Sequence, residues 1–196
     1  MRRILSYDGS FEGFLTAVFT VYEERILQPT IQPTERGVEN FFDTITPIIS
    51  DPKKAERVWK GITQYCSKKA LSNIYRAFLS EKKGIEDILL HFIKRSLSEK
   101  KQLENDYGDA FVLEISKVVR MVNREKHRMD AFVRFKETKD GLYIATVSPD
   151  FNVLPLLKKH FTSRYADQCW LIYDLKRNFG IYYNLTCTSE VILEST

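Results

Sequence analysis

The hydrophobic period of this chain changes once, near Met129, and that change fixes which secondary structure each part can form. Ahead of it, apolar residues recur at three- and four-residue steps. One set is Phe11, Phe14, Leu15, Val18, Phe19, Tyr22 and Ile26; another is Ala55, Val58, Trp59, Ile62, Tyr65 and Cys66. Ile85, Ile88, Leu89, Phe92, Ile93 and Leu97 form a third, and Phe111, Ile115, Val118 and Val122 a fourth. Such spacing places each set on one face of a helix. After Met129 the period shortens to two. Phe132–Lys136 and Leu142–Val147 look like two strands, and Lys139-Asp140-Gly141 between them is a hairpin signal.

Local punctuation refines this outline. Arg2–Tyr7 reads as a short strand closed by Asp8-Gly9, and Ser10 can cap the helix that follows. Gln28-Pro29 ends that helix, Thr30–Gly37 reads as a surface loop, and the segment up to Ile49 fits more than one state. Asp51-Pro52 is a helix start, with a capping side chain followed by proline at the first helical position. A further helix is expected over Leu71–Leu79, and Lys83-Gly84 breaks the chain before the next. The polar run Ser98–Asn105 reads as a loop or a fraying end, and the last long helix begins near Asp109. Asp150 or Asn152 is expected to cap a helix over Val153–Tyr165, with Pro155 in its first turn. Strands over Cys169–Leu175 and Gly180–Leu185 complete a β-β-α-β-β unit. The expected class is α+β: a helical region over 1–128 packed with a mostly antiparallel unit over 129–196, whose sheet the N-terminal strand is a candidate to join.

At 196 residues the chain fits one large domain or two small ones. Its net charge of +4 is too small to imply a nucleic-acid partner by itself. Cys66, Cys169 and Cys187 match no metal-ligand spacing, so no metal or other cofactor is expected. Few, unpaired cysteines suit a reducing compartment, Met1-Arg2-Arg3 leads into no apolar signal segment, and no apolar run approaches a membrane span. The expectation is a cytoplasmic protein with no membrane partner.

Three stretches resemble one family. They are Tyr7-Asp8-Gly9-Ser10-Phe11 running into Gly13-Phe14-Leu15, Glu125-Lys126-His127-Arg128-Met129 running into Phe132-Val133-Arg134-Phe135, and Pro149-Asp150-Phe151-Asn152-Val153-Leu154-Pro155-Leu156 leading to Trp170-Leu171-Ile172-Tyr173-Asp174. Together they look like a bacterial family assigned to DNA metabolism and linked to a radical-SAM partner, fused in longer members to a uracil-DNA-glycosylase-like domain. The resemblance implies a place in DNA repair or modification, with DNA and a radical-SAM protein as partners. It supplies no catalytic residue, and the glycosylase activity does not carry over.

The best physical candidate for function is the last long helix. Lys117, Arg120, Arg124 and Arg128 lie at steps of three, four and four, along a stripe opposite the apolar face, and Lys126, His127 and Arg134 add donors nearby. From Lys117 to Lys136, seven Lys/Arg stand against Glu125 and Asp130, a net of +5 that exceeds the surplus of the whole chain. Arginines so placed can fork onto phosphate oxygens. The competing reading is a solvated face whose late cations complement the helix dipole.

A second constellation is Pro149-Asp150 followed by Asp174-Leu175-Lys176, the pattern of Mg²⁺-dependent nucleases in which two carboxylates hold the metal and the lysine assists the attacking water. The intervening helix separates it from the usual hairpin placement. His91 and His160 sit on apolar stripes as core histidines do, whereas His127 lies in the basic segment. Phe132, Tyr143, Trp170 and Tyr182 could stack bases or simply fill the core. Three functions stay open: a DNA-binding accessory protein acting with a radical-SAM partner, a nuclease using Asp150, Asp174 and Lys176, and an adaptor without nucleic-acid contact.

Overall fold

The computed structural model describes residues 3–37 and 44–192. The chain divides into two compact units, Met1–Val119 and Arg120–Thr196. Each has its own sheet.

In the first unit, β1 (Arg3–Tyr7) leads into α1 (Phe11–Glu23), β2 (Pro29–Pro33), a 3₁₀ turn (Thr34–Arg36) and β3 (Thr44–Pro47). Three helices follow, α2 (Pro52–Thr63), α3 (Lys68–Phe78) and α4 (Ile85–Glu99), and α5 (Ala110–Phe132) begins in this unit. Two of the caps that the sequence signals are present in this unit. The Ser10 hydroxyl accepts the Gly13 N–H at 2.9 Å, and the Asp51 carboxylate accepts those of Lys53 and Lys54 with Pro52 opening α2. Each satisfies donors that a helix start leaves without partners.

The N-terminal strand does not join the C-terminal sheet. It is the centre of a separate, all-parallel sheet of order β2-β1-β3. Its neighbours come from the segment expected as a loop and from the ambiguous one, of which residues 38–43 lie outside the described residues. Pro29, Pro33 and Pro47 disguise them. Proline cannot donate to a ladder, but both strands are edges, where the missing N–H faces no partner strand. The Ile31 amide of β2 instead donates to Asp87 of α4 at 3.0 Å.

The second unit contains the rest of α5, then β4 (Lys136–Glu137), β5 (Tyr143–Val147), α6 (Leu154–Arg164), β6 (Trp170–Asp174), β7 (Phe179–Tyr183) and β8 (Thr188–Val191). The sheet order is β4-β5-β6-β7-β8, antiparallel except for β5 and β6, which run parallel because α6 carries the chain across between them. The α+β class and the antiparallel-rich C-terminal sheet are as the sequence indicates.

The first strand of the hairpin is shorter than the expected Phe132–Lys136. Helix α5 continues through Phe132, and only Lys136 and Glu137 pair with β5. Val133 is buried and Phe135 packs on the same core, so this segment turns inward directly from the helix end. Helix α6 likewise departs from expectation: its cap position is Val153 with no side-chain bond, so neither Asp150 nor Asn152 caps it. The strand β8 was not anticipated.

Strand β6 is buried along its whole length. Trp170 and Ile172 meet Leu154, Leu157 and Phe161 of α6 and Ile181 and Tyr183 of β7 in one cluster. Gly180 lies opposite Tyr173, where a side-chain carbon would come within 2.9 Å of the Ile172 carbonyl oxygen, so no larger residue fits unless the backbone shifts.

Candidate nucleic-acid interface

Within the second unit, α5 buries Val122 and Glu125 and turns Arg120, Arg124, His127 and Arg128 to solvent. Arg120 and Arg124 have no acid partner among the described residues. The Arg128 guanidinium donates to Glu125 Oε2 at 3.0 Å, and Lys126 donates to Asp130 one turn on. Arg134, just past the helix, is exposed and donates to the carbonyls of Ala131 and Val133 at 2.8 and 3.1 Å. It therefore caps the negative end of α5, the dipole role that the competing reading assigns to late cations. Lys117 is exposed too, belongs to the first unit, and pairs loosely with Glu114 at 3.7 Å.

In the local charge sum Glu125 is simply an acid set against the cations. Folded, it is 5% exposed and holds two things at once. One carboxylate oxygen receives Arg128, and the other accepts the Asp150 N–H at 3.1 Å. The Pro149–Asn152 loop is thereby tied to α5 by a charge-assisted bond.

The residues of the nuclease pattern meet on that same loop, in other roles. Arg177 donates to the carbonyl oxygens of Pro149 and Asp150, both at 3.1 Å, and to Asp174 Oδ2 at 2.8 Å. Lys176 Nζ donates to the Asp150 carbonyl at 3.2 Å. The other Asp174 oxygen accepts the N–H groups of Lys176 and Arg177, which closes the β6–β7 turn. Asp174 is wholly buried with both oxygens committed and an arginine against it, an arrangement that opposes a second cation. Asp150 takes part through its backbone rather than its carboxylate. Among the described residues, no three His, Cys, Asp or Glu side chains are grouped so as to hold a metal ion.

Of the four aromatic candidates, Trp170 is buried in the core. Tyr143 and Tyr182 are half-buried, and the charge of Glu137 across the hairpin, together with burial and a hydrogen bond, pushes the Tyr143 phenol up. Phe132 alone presents its ring to solvent, 68% exposed. His91 stacks on Phe111 with ring centroids 3.8 Å apart, and His160 is half-buried against Phe161, consistent with packing roles.

The first unit holds a buried polar group that sequence reasoning missed. Glu86, in the first turn of α4 and 2% exposed, accepts the Tyr7 hydroxyl at 3.3 Å and the Arg36 guanidinium at 3.0 Å. Burial pushes its carboxyl above the usual range, while bonds to Glu86's own backbone, Arg36 and Tyr7 oppose that shift. Burial and the Glu86 charge likewise push the Tyr7 phenol up. Burial also acts to raise Asp8, but the hydroxyls of Ser10 and Ser50 and the Ser10 N–H outweigh it and hold that carboxyl low. An acid just after Gly84 looks in sequence like a surface residue complementing the helix dipole, so only burial reveals Glu86's role.

A family model described as a domain of unknown function matches residues 83–195, more than half of the chain. Two of the three resembling stretches fall inside that range, and Tyr7–Leu15 falls outside it. No curated protein matches the chain. Among the described residues no helix is long and apolar enough to cross a membrane.

Proposed function

Starting from the chain's membership of the DUF4130 family of unknown function, we propose that it is a nucleic-acid-binding accessory protein that contacts phosphates through the outer face of α5. The observation that carries this reading is that Arg120 and Arg124 stand exposed on one helix face with no acid partner among the described residues, beside Arg128 and Arg134. A merely solvated face is usually laced with compensating acids. Here the acids that could compensate, Glu125 and Asp130, are taken up by Arg128, the Asp150 amide and Lys126.

The finer setting is DNA repair or modification alongside a radical-SAM partner. It rests on the family resemblance of Glu125–Phe135 and Pro149–Asp174. The nuclease reading has no comparable support, because Asp174 is committed to Arg177 and Lys176 to a backbone carbonyl.

The test is a salt titration of binding to labelled DNA by fluorescence anisotropy. Three cations without an acid partner, Arg120, Arg124 and Arg134, should give a log–log slope near −3 on duplex, about 0.9 per phosphate neutralised. Arg120→Ala with Arg124→Ala should flatten it by about two units while circular dichroism stays unchanged. Equal slopes for the two proteins, or no binding at low salt, would refute the reading. Co-elution of the chain with a radical-SAM protein at fixed stoichiometry would test the partner.

A further inference from the structure

We propose that Phe132 is a stacking platform for an unpaired base, so that the α5 face takes single-stranded nucleic acid in preference to duplex. This rests on the reading of that face as a phosphate-binding surface, and it names the class of strand bound.

Phe132 is the last residue of α5 and is 68% exposed, while its neighbour Val133 is 6% exposed and turns into the core. Among the described residues no other ring or cation packs on it. The sequence had an easy way to bury this ring, one position on, and did not use it.

Its position relative to the cations is specific. At about 100° per residue, Arg124, Arg128 and Phe132 follow one another at single-turn intervals along the same edge of the helix. From Arg120 to Phe132 the helix rises about 18 Å. Arg134 hydrogen-bonds the carbonyls of Ala131 and Val133, so its charge stands at the helix end beside the ring and offsets the negative dipole there. The result is a row of phosphate donors that ends in a bare aromatic face.

A duplex cannot use that face, because its base faces are already covered by their neighbours. A single strand can lay its phosphates along the arginines and place a free base on the ring. Stacking on a phenyl ring tolerates any base, so little sequence preference is expected.

The test compares a labelled dT₁₅ strand with a capped hairpin duplex by anisotropy, using wild type, Phe132→Ala, Phe132→Trp and the Arg120→Ala/Arg124→Ala variant. Wild type should prefer dT₁₅. Phe132→Ala should weaken dT₁₅ binding about tenfold, leave the duplex and both salt slopes unchanged, and be rescued by Phe132→Trp. Equal affinity for both strands, or no effect of Phe132→Ala on dT₁₅, would overturn the stacking role. If the arginine variant still flattens the slope in that case, the phosphate-binding reading survives alone. No binding of either strand overturns both. Self-association that disappears in Phe132→Ala, with no strand preference, would assign the ring to a protein contact instead.

Discussion

Removing the Glu125 side chain should destabilise the second unit by a measurable and predictable amount. Its carboxylate joins α5 to the Asp150 amide and to Arg128. Glu125→Ala leaves that amide without its charged acceptor, a loss of about 1.5–3 kcal/mol. Arg128 contributes less, since its side chain is 61% exposed; after solvent screening about 0.5 kcal/mol is reasonable. The alanine variant should therefore lose about 2–3.5 kcal/mol. Glu125→Gln keeps an oxygen for the Asp150 N–H and gives up the charge, so about half that loss is expected. Urea unfolding on a Trp59→Phe background isolates Trp170, which is buried in the core of the second unit and so reports its melting. The midpoint should fall with the slope against denaturant unchanged. A loss under about 1 kcal/mol for alanine, or equal losses for alanine and glutamine, would refute the idea that this carboxylate holds the loop.

Three other outcomes follow from the same geometry. Asp174→Ala should cost about 3 kcal/mol, measured with the same reporter, because it removes the carboxylate paired with the Arg177 guanidinium, 10% exposed, and the acceptor of two N–H groups in the turn; a near-neutral variant would show that the turn holds without it. Glu86 binds its proton more tightly in the folded chain than in the unfolded one, so its contribution is full below the ordinary value of 4.5 and is lost as pH rises through the folded value. Wild-type stability should accordingly decline above about pH 4.5 relative to Glu86→Gln in chemical denaturation, and parallel pH profiles would contradict this. Glu125→Gln should also steepen the salt dependence of DNA binding by about one unit, because Arg128 then has no acid to leave, and an unchanged slope would mean that Arg128 already contacts phosphate in the wild type.

Much of the helical framework was legible because the caps and the hydrophobic period agree. Ser10, Asp51-Pro52 and the stripe through Ile85, Leu89, Phe92 and Ile93 each give a local signal that the fold then keeps. The parallel sheet of the first unit was not legible, for a physical reason. Strands β2 and β3 are stabilised by pairing with β1, a contact made across the sequence, while their prolines mark them locally as loops. The short β4 and the inward turn at Val133 illustrate the same rule. The aromatic and β-branched residues of Phe132–Lys136 suit a strand, but burial of Val133 and Phe135 against Trp170, Phe161 and their neighbours is what placed the chain.

The site was legible to a different depth. Spacing alone put Arg120, Arg124 and Arg128 on one face of a helix, and all three are exposed there. Net charge, though, is a poor guide to what that face offers a phosphate, because it treats every acid as a neighbour of every base. Glu125 and Asp130 subtract equally in the sequence, yet each is directed by the fold. Asp130 takes up Lys126, which is half-buried, and Glu125 spends one oxygen on a backbone amide. The acids thus neutralise Lys126 and Arg128 and leave Arg120 and Arg124 uncompensated on the exposed face of the helix. Had the same two acids stood at positions 123 and 127, the local sum would be unchanged and Arg120 and Arg124 would each face an acid one turn on. The arrangement of the acids, more than the number of arginines, is what makes this helix a candidate for binding a polyanion.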